Sequence, residues 1–566
     1  MRYAVLATDF DGTLAHDGTV AEPVWAALER LVESGRRAVL VTGRLLEDLL
    51  PLVERPERFS LIVAENGALV YDPATKTART IVEPPPPAFV AELRKRGVTP
   101  LEVGHVIVAT WEPNEKAVLD AIRDVGLEWH VTFNKGAVMA LPAGVTKATG
   151  LQVALDELET SRHNLVAVGD GENDGAMLTF AECGVAVANA IPLLKERADV
   201  VTTRDHGAGV RELVGALLRD DLSEAGGIVS RHGIVLGRDT DGEEVTLAGA
   251  ARGMLVFGTS GGGKSTLTTL ILERLREAGY QFCALDPEGD YSSFEDAIVV
   301  GSVQASPTLE EISEGLRSPT HSLILNTLAV PPHERPAYFS RVAKIIDGLR
   351  QQRGRPHWLV VEEAHHFMPV DAGEPLDIPL SSVLLVTTRP QLVQPRRLRD
   401  VDTMVAVGDD ARRALEEAVS LLAIAPPPHS SIEPTDGGAL VWTQSSGTVR
   451  AFRADIPRTT RVRHRRKYAT GELAESKSFY FRGPGERLNL RAQNLMTFVQ
   501  LARGIDDETW LHHLRRGDYS KWFAEMIGDE GLARDALAVE GDTAVTAVSS
   551  RQRIVDAVLQ RYTTPA

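Results

Sequence analysis

Cysteine is almost missing from this 566-residue chain, which holds only Cys183 and Cys283. Two thiols exclude a disulfide framework as the basis of the fold. No apolar run approaches the roughly 20 residues that cross a bilayer, which excludes a helical membrane protein. Positive charge is short as well: 61 Lys and Arg face 78 Asp and Glu, for a formal net charge of -17. That balance argues against a uniformly basic nucleic-acid-binding body, although one basic groove would be hidden in the total. The start of the chain lacks the layout of a secretory signal, because Tyr3 to Thr8 read as a strand running straight into a charged motif. A cytoplasmic protein is therefore expected, with about three or four domains for this length.

What is present is two sets of phosphate chemistry. In the first set, the strand pattern Tyr3–Thr8 is followed by Asp9-Phe10-Asp11-Gly12-Thr13, two carboxylates at a strand's C-terminal end, where parallel sheets place their ligands. A second strand, Ala38–Val41, ends in Thr42-Gly43-Arg44, a hydroxyl and backbone amides suited to phosphate oxygens. Lys147 opens a helix, and a further strand, Leu165–Val168, ends in Gly169-Asp170-Gly171-Glu172-Asn173-Asp174. Hard oxygen ligands at that density suit Mg²⁺, which keeps waters and shares substrate oxygens.

In order and spacing these four pieces resemble the haloacid dehalogenase superfamily of phosphatases, and Ala64-Glu65-Asn66-Gly67-Ala68 is similar to its Cof-type, capped subclass. The resemblance covers about residues 1–220 and implies a Rossmann-like parallel α/β sheet with an α/β cap inserted at about 69–143. It implies Asp9 as the nucleophile and Asp11 as the acid/base, with Thr42 and Lys147 on the phosphoryl group. It also implies that Asp170, Asp9 and the backbone of Asp11 hold Mg²⁺, with Asp174 and Asn173 supporting them. A cap implies a small phosphorylated substrate. A strand at Val106–Thr110 and a helix at Glu115–Val125 are expected within it. There His105, Trp111, His130 and Lys135 are either substrate contacts or packing, and the residues alone do not assign them.

The second set begins near residue 226. Gly233–Gly237 and Val245–Leu247 flank Asp239-Thr240-Asp241-Gly242 as a hairpin, and Met254–Phe257 lead as a strand into Gly258-Thr259-Ser260-Gly261-Gly262-Gly263-Lys264-Ser265. With a helix from Ser265 to Glu277 this is a complete phosphate-binding loop for ATP. The amides of Ser260 to Lys264 cradle phosphates, Lys264 neutralises them, and Ser265 coordinates Mg²⁺ beside Thr266. A strand at His357–Val361 ends in Glu362 and Glu363. Glu363 is the candidate base for the attacking water, and Glu362 would meet Mg²⁺ through water. The strand Val383–Val386 ends in Thr387-Thr388-Arg389, a candidate γ-phosphate sensor, and Asp286, Glu288 and Asp290 cluster after another strand.

Over about residues 226–458 this set resembles the HerA/FtsK group of ring-forming ATPases, which implies a RecA-like domain and a homo-oligomer. Three features depart from that group's pattern: Glu362 stands where aspartate is usual, Thr388 where glutamine is usual, and no large barrel precedes the loop. Hydrolysis is expected over processive pumping. Arg389, Arg396, Arg397 and Arg399 are candidates for a finger reaching a neighbouring subunit, or else surface residues.

The stretch Arg458–Lys467, with Arg461, Arg463, Arg465 and Arg466, reads either as a solvated linker or as a contact to nucleic acid phosphates. Residues 468–566 read as a small, mainly helical assembly domain, with an amphipathic helix at Leu488–Leu501. His512 and His513 are adjacent and point about 100° apart on a helix, so they do not share a metal. The combination predicts a phosphatase fused to an ATPase. Two alternatives stand beside it: an end-repair kinase-phosphatase acting on polynucleotides, and a regulator gated by ATP binding.

Overall fold

The computed structural model describes the chain apart from residues 224–231, 249–252, 260–261, 293, 372–381, 400, 409, 423–437, 460–467, 470, 472, 474, 528 and 563–566, and the side chains of 476 and 530. Ser260 and Gly261 of the phosphate loop, and Arg461, Arg463, Arg465, Arg466 and Lys467 of the basic stretch, thus lie outside the described residues.

The first sheet starts with β1 (Val5–Asp9), all five residues of which are buried. A strand covered on both faces reads as a continuous apolar run, which is why its sequence does not alternate. β2 (Arg37–Val41), β3 (Leu61–Ala64), β4 (Leu69–Asp72) and β5 (Thr77–Thr80) follow. An inserted layer carries β6 (Glu102–Val103), β7 (Val108–Trp111), β8 (Trp129–Asn134) and β9 (Ala137–Pro142), paired in the order β6-β7-β9-β8. Two helices, Pro87–Lys95 and Glu115–Val125, pack Phe89, Leu93, Val118 and Ile122 against Val108 and Val138 of that layer. The chain returns with β10 (Leu165–Gly169), β11 (Cys183–Ala186) and β12 (Val200–Val201), completing the order β12-β11-β10-β1-β2-β3-β4-β5.

The insert is shorter than the expected 69–143. β4 pairs antiparallel with β3, Ala64 opposite Leu69, and β5 pairs with β4, so residues 69–80 extend the core sheet. The tight turn at Glu65–Gly67 reverses the chain onto the strand it has just left, and so keeps the hairpin in the core.

The second sheet contains β13 (Ile234–Asp239), β14 (Glu244–Leu247), β15 (Gly253–Phe257), β16 (Phe282–Asp286), β17 (Ile298–Val300), β18 (Leu323–Asn326), β19 (Trp358–Val361), β20 (Val383–Thr387), β21 (Val401–Val407), β22 (Ala439–Thr443) and β23 (Thr448–Ala454). Its order is β14-β13-β23-β22-β21-β15-β20-β19-β16-β18-β17. From β21 to β17 the strands are parallel, and β22, β23, β13 and β14 extend them antiparallel.

The last region pairs β24 (Phe479–Phe481) with β25 (Leu490–Ala492) and packs helices Leu495–Gly504, Asp507–Arg516, Glu530–Glu540 and Ala547–Tyr562 around an aromatic core that includes Phe479, Phe498, Trp510 and Tyr519. The helix expected over 488–501 is therefore split. Residues 490–492 form a strand, and the Asn494 side chain caps the helix by accepting from the Thr497 amide. His513 is buried between the Arg482 amide and Asp518, a packing role. Among the described residues no helix is long and apolar enough to cross a membrane.

The two large sheets meet through the amino-terminal ends of their strands. Arg162 and His163, just ahead of β10, contact the Ala278 carbonyl ahead of β16. Asn164 donates to the Gly354 carbonyl, and Arg355 donates to the Glu159 carbonyl. The carboxyl ends, which carry both motif sets, face away from this junction.

Candidate functional site

Asp9 ends β1, and next to it β10 ends at Gly169, with Asp170 and Asp174 in the turn that follows. Lys147, 1% exposed, sits between them. Its Nζ donates to Asp9 Oδ1 at 2.5 Å and to Asp174 Oδ1 at 2.6 Å. Burial disfavours the ammonium, but Asp174 and Asp9 more than compensate and hold Lys147 above the usual lysine value. Burial and the charge of Asp174 push the Asp9 carboxyl up to about 7, against the pull of Lys147.

Local sequence explains how Lys147 is held. Thr146 caps its helix through the Thr149 amide. The helix then packs on the Glu65–Gly67 turn, where Gly67 has φ 105 and an added Cβ would lie 1.9 Å from the Thr146 carbonyl oxygen. The Glu-Asn-Gly motif is thus a packing surface for the lysine helix. Glu65 itself is fully buried and accepts the backbone N–H groups of His105, Val106 and Ile107 from the insert.

Asp174 Oδ2 accepts the amides of Asp170 and Gly171, which fixes the turn. Asp170 accepts from Thr13 through Oδ1 and from Lys135 through Oδ2, and burial raises its carboxyl despite the Lys135 contact. Asn173 donates to Asn66. Thr42 is buried at the tip of β2, its hydroxyl accepting the Arg44 amide. Asp11 is gripped bidentately by Arg44, Nε to Oδ2 at 2.6 Å and an Nη to Oδ1 at 2.7 Å. The sequence motif named Arg44 only for its backbone, and the side-chain fork was not legible from it.

Oxygens of Asp9, Asp170 and Asp174 lie within 4.8 Å of one another. Three hard carboxylates, with the Asp11 carbonyl alongside, fit Mg²⁺ in kind. Against their three negative charges the structure sets two ammonium groups, Lys147 and Lys135, leaving the cluster one charge short of neutral.

At the other sheet, β15 runs into Gly258 and Thr259, and Lys264 opens the helix Lys264–Ala278. Lys264 Nζ donates to the carbonyls of Gly258, at 3.0 Å, and Thr259, at 2.8 Å, bracing the loop. Gly262 and Gly263 complete the described part of the loop, while Ser265 and Thr266 are exposed on the first helical turn. β20 separates β15 from β19, at whose end stand Glu362 and Glu363. Glu362 is buried and accepts from the Tyr291 hydroxyl. Burial, with Asp286 and Glu363 nearby, raises it well above the usual range. Glu363 takes a left-handed backbone, φ 45, and lies 3.4 Å from His365 Nδ1, which also contacts the Thr387 hydroxyl at 3.0 Å. Thr387 makes the contact between the tips of β19 and β20. Asp286 receives the amides of Glu288, Gly289 and Tyr291 and so organises its own loop. Of the candidate finger arginines Arg397 is buried, while Arg389, Arg396 and Arg399 are exposed.

Residues 6–84 and 111–214 match the family of haloacid dehalogenase-like hydrolases. Residues 235–344 match the central domain of helicase HerA, a stretch that includes the phosphate loop and ends before Glu362. The chain is 31% identical over 232 residues to phosphoglycolate phosphatase 2 of Saccharolobus solfataricus, covering 39% of this chain and 94% of that protein. It is 31% identical over 226 residues to the phosphoglycolate phosphatase of Haloarcula marismortui, covering 37% and 95%. A third relative, the 5-amino-6-(5-phospho-D-ribitylamino)uracil phosphatase YitU of Bacillus subtilis, is 25% identical over 260 residues, covering 36% and 94%. With Asp9, Lys147, Asp170 and Asp174 gathered at adjoining strand tips, the chain belongs to the haloacid dehalogenase-like phosphatases, fused to a HerA-like P-loop domain.

Proposed function

We propose that the first site hydrolyses a small phosphate monoester of the phosphoglycolate kind, and that the second hydrolyses ATP in an oligomer. The observation that carries the phosphatase reading is Lys147, buried at hydrogen-bond distance from both Asp9 and Asp174. It anchors one oxygen of Asp9 and leaves the other to attack phosphorus in line with the ester oxygen. The P–O ester bond breaks, Asp9 carries the phosphoryl group as an acyl phosphate, and Asp11, which first leaves the Arg44 fork and takes a proton from solvent, gives that proton to the leaving oxygen. Water then attacks phosphorus, Asp11 takes the water's proton back, and phosphate leaves. Thr42 and Lys147 hold the phosphoryl oxygens throughout. Mg²⁺ bound by Asp9, Asp170 and the Asp11 carbonyl would supply charge neutralisation for those oxygens. The two lysines bound to these carboxylates support this reading, since they mark a site that demands cations.

At the second site Lys264 neutralises the nucleotide's phosphates, Ser265 serves the metal, and Glu363 orients and deprotonates water. Burial, with Asp286 and Glu363 nearby, raises Glu362 above the usual carboxylate range, while Glu363 beside it is less buried, which supports Glu363 as the base.

The end-repair reading is the weaker one. The sheets join through their amino-terminal ends, which puts the sites at opposite ends of the pair, roughly two strand lengths or about 30 Å apart, so a polymer end must leave one site to reach the other. The first experiment is phosphate release from phosphoglycolate and from ATP, with and without duplex DNA, using Asp9→Asn and Lys264→Ala to assign each activity. ATP turnover raised by DNA would place the second site on nucleic acid; turnover indifferent to DNA would remove that partner.

A further inference from the structure

The insert reaches the carboxylates of the first site through Lys135. β8 and β9 are joined at Lys135-Gly136, where Lys135 has φ 50 and Gly136 φ 87, a tight reversal that aims the lysine out of the insert. Its Nζ donates to Asp170 Oδ2 and to the Asp11 carbonyl, 2.9 Å from each. An added Cβ on Gly12 would lie 2.4 Å from both that Nζ and Asp170 Oδ2, so the ammonium sits tightly over the turn. These are oxygens expected to hold Mg²⁺, which binds at roughly 2.0–2.1 Å. The ammonium fills the space in front of both oxygens, and it must leave that space for an ion to bind them together.

A charge count narrows where it goes. Asp11 is neutralised by Arg44. Asp9, Asp170 and Asp174 are neutralised by Lys147 together with one divalent ion. The displaced Lys135 then finds no uncompensated carboxylate among Asp9, Asp11, Asp170 and Asp174, while its stem remains on the hairpin above them. Beside it, Asn134 Oδ1 is buried without a hydrogen bond, so the hairpin tip is one partner short in this arrangement. We propose that Lys135 is a specificity-determining residue. It stands in the metal site when that site holds no ion, and it moves onto a second anionic group, a carboxylate, of the phosphate ester once the metal is in place. This rests on the phosphatase reading and goes beyond it by assigning the substrate class to one residue of the insert.

The test compares phosphoglycolate with 2-hydroxyethyl phosphate, the same ester without the carboxylate, in the full chain with Mg²⁺. In Lys135→Met the ratio of kcat/KM for the acid over the alcohol should fall about tenfold or more, mainly through KM, and Lys135→Arg should restore part of it. Calorimetry without nucleotide or substrate should show Mg²⁺ binding several-fold tighter to Lys135→Met, because its competitor is gone. An unchanged ratio, or Mg²⁺ affinity equal to or weaker than wild type, overturns the assignment while leaving the phosphatase reading intact. Wild-type protein that cleaves neither ester overturns both.

Discussion

The ring of His163 lies on that of Tyr280, centroids 3.7 Å apart and planes 21° from parallel, and both side chains contact the buried carboxylate of Glu182. His163 and Glu182 precede strands of the phosphatase sheet, and Tyr280 precedes a strand of the P-loop sheet. Arg2 adds its guanidinium to Glu182 at 2.8 Å, and the His232 ring meets His163 edge-on. The Glu182 carboxylate therefore adds a buried side-chain tie to the contacts that join the two sheets.

Glu182→Ala leaves Arg2 and His163 facing an empty buried site. Removing one partner of such a pair costs about 3–5 kcal/mol. Calorimetric unfolding should show a lower first transition, and the two catalytic units should melt apart. A single transition at the wild-type temperature would mean that the junction lies elsewhere.

The same carboxylate predicts acid sensitivity. Burial opposes ionisation of Glu182, but the His163 hydrogen bond and charge, aided by Arg2, outweigh it and hold the group at about 2, below its ordinary 4.5. A depressed carboxylate stabilises the fold fully above the unfolded value and loses that contribution as pH falls. The junction should therefore weaken from pH 4.5 down to about 2. Glu182→Gln should flatten the fall in melting temperature over that window.

Asp9→Asn should abolish phosphoglycolate hydrolysis, by about 10⁴-fold or more, while ATP turnover stays at the wild-type level. Lys264→Ala should do the reverse. Steady-state phosphate release on both substrates checks each. Loss of both activities in either variant would indicate coupling across the junction.

Gly67→Ala places a methyl against the Thr146 carbonyl and forces a non-glycine residue to φ 105. Strain of about 1–3 kcal/mol follows. Because the helix that must shift carries Lys147, kcat on phosphoglycolate should drop more than melting temperature predicts. An active, fully stable variant would contradict this packing.

Glu363→Gln should slow ATP hydrolysis by about 10²–10⁴-fold and keep nucleotide affinity, the signature of a lost base. Fluorescent-nucleotide titration beside turnover measures both. Turnover that survives would remove Glu363 from that role.

The motifs legible in the sequence share one property: their residues sit within a few positions of a strand end, so local pattern and strand direction suffice to group them. Asp9, Asp170 and Lys264 were readable in this way, as was the parallel α/β class of both large sheets. The 69–80 hairpin was misread because its edge strands carry polar residues such as Thr77, Arg79 and Thr80, and only pairing with β3 and β4 assigns them to the core sheet. The helix expected at 488–501 failed for a similar reason, since residues 490–492 find their partner in 479–481.

Sequence was sufficient for features that a short segment carries whole: a pair of carboxylates at a strand tip, a glycine loop closed by Lys264, and the helix that follows it. Three relationships needed the folded chain. Arg44 on Asp11, Lys135 on Asp170 and Tyr280 on Glu182 each join segments 33, 35 and 98 positions apart. Such contacts depend on strand order, on the direction an insert takes, and on which sheet ends meet. Residue type sets only what each side chain is able to bind; tertiary packing brings the partner within hydrogen-bond range.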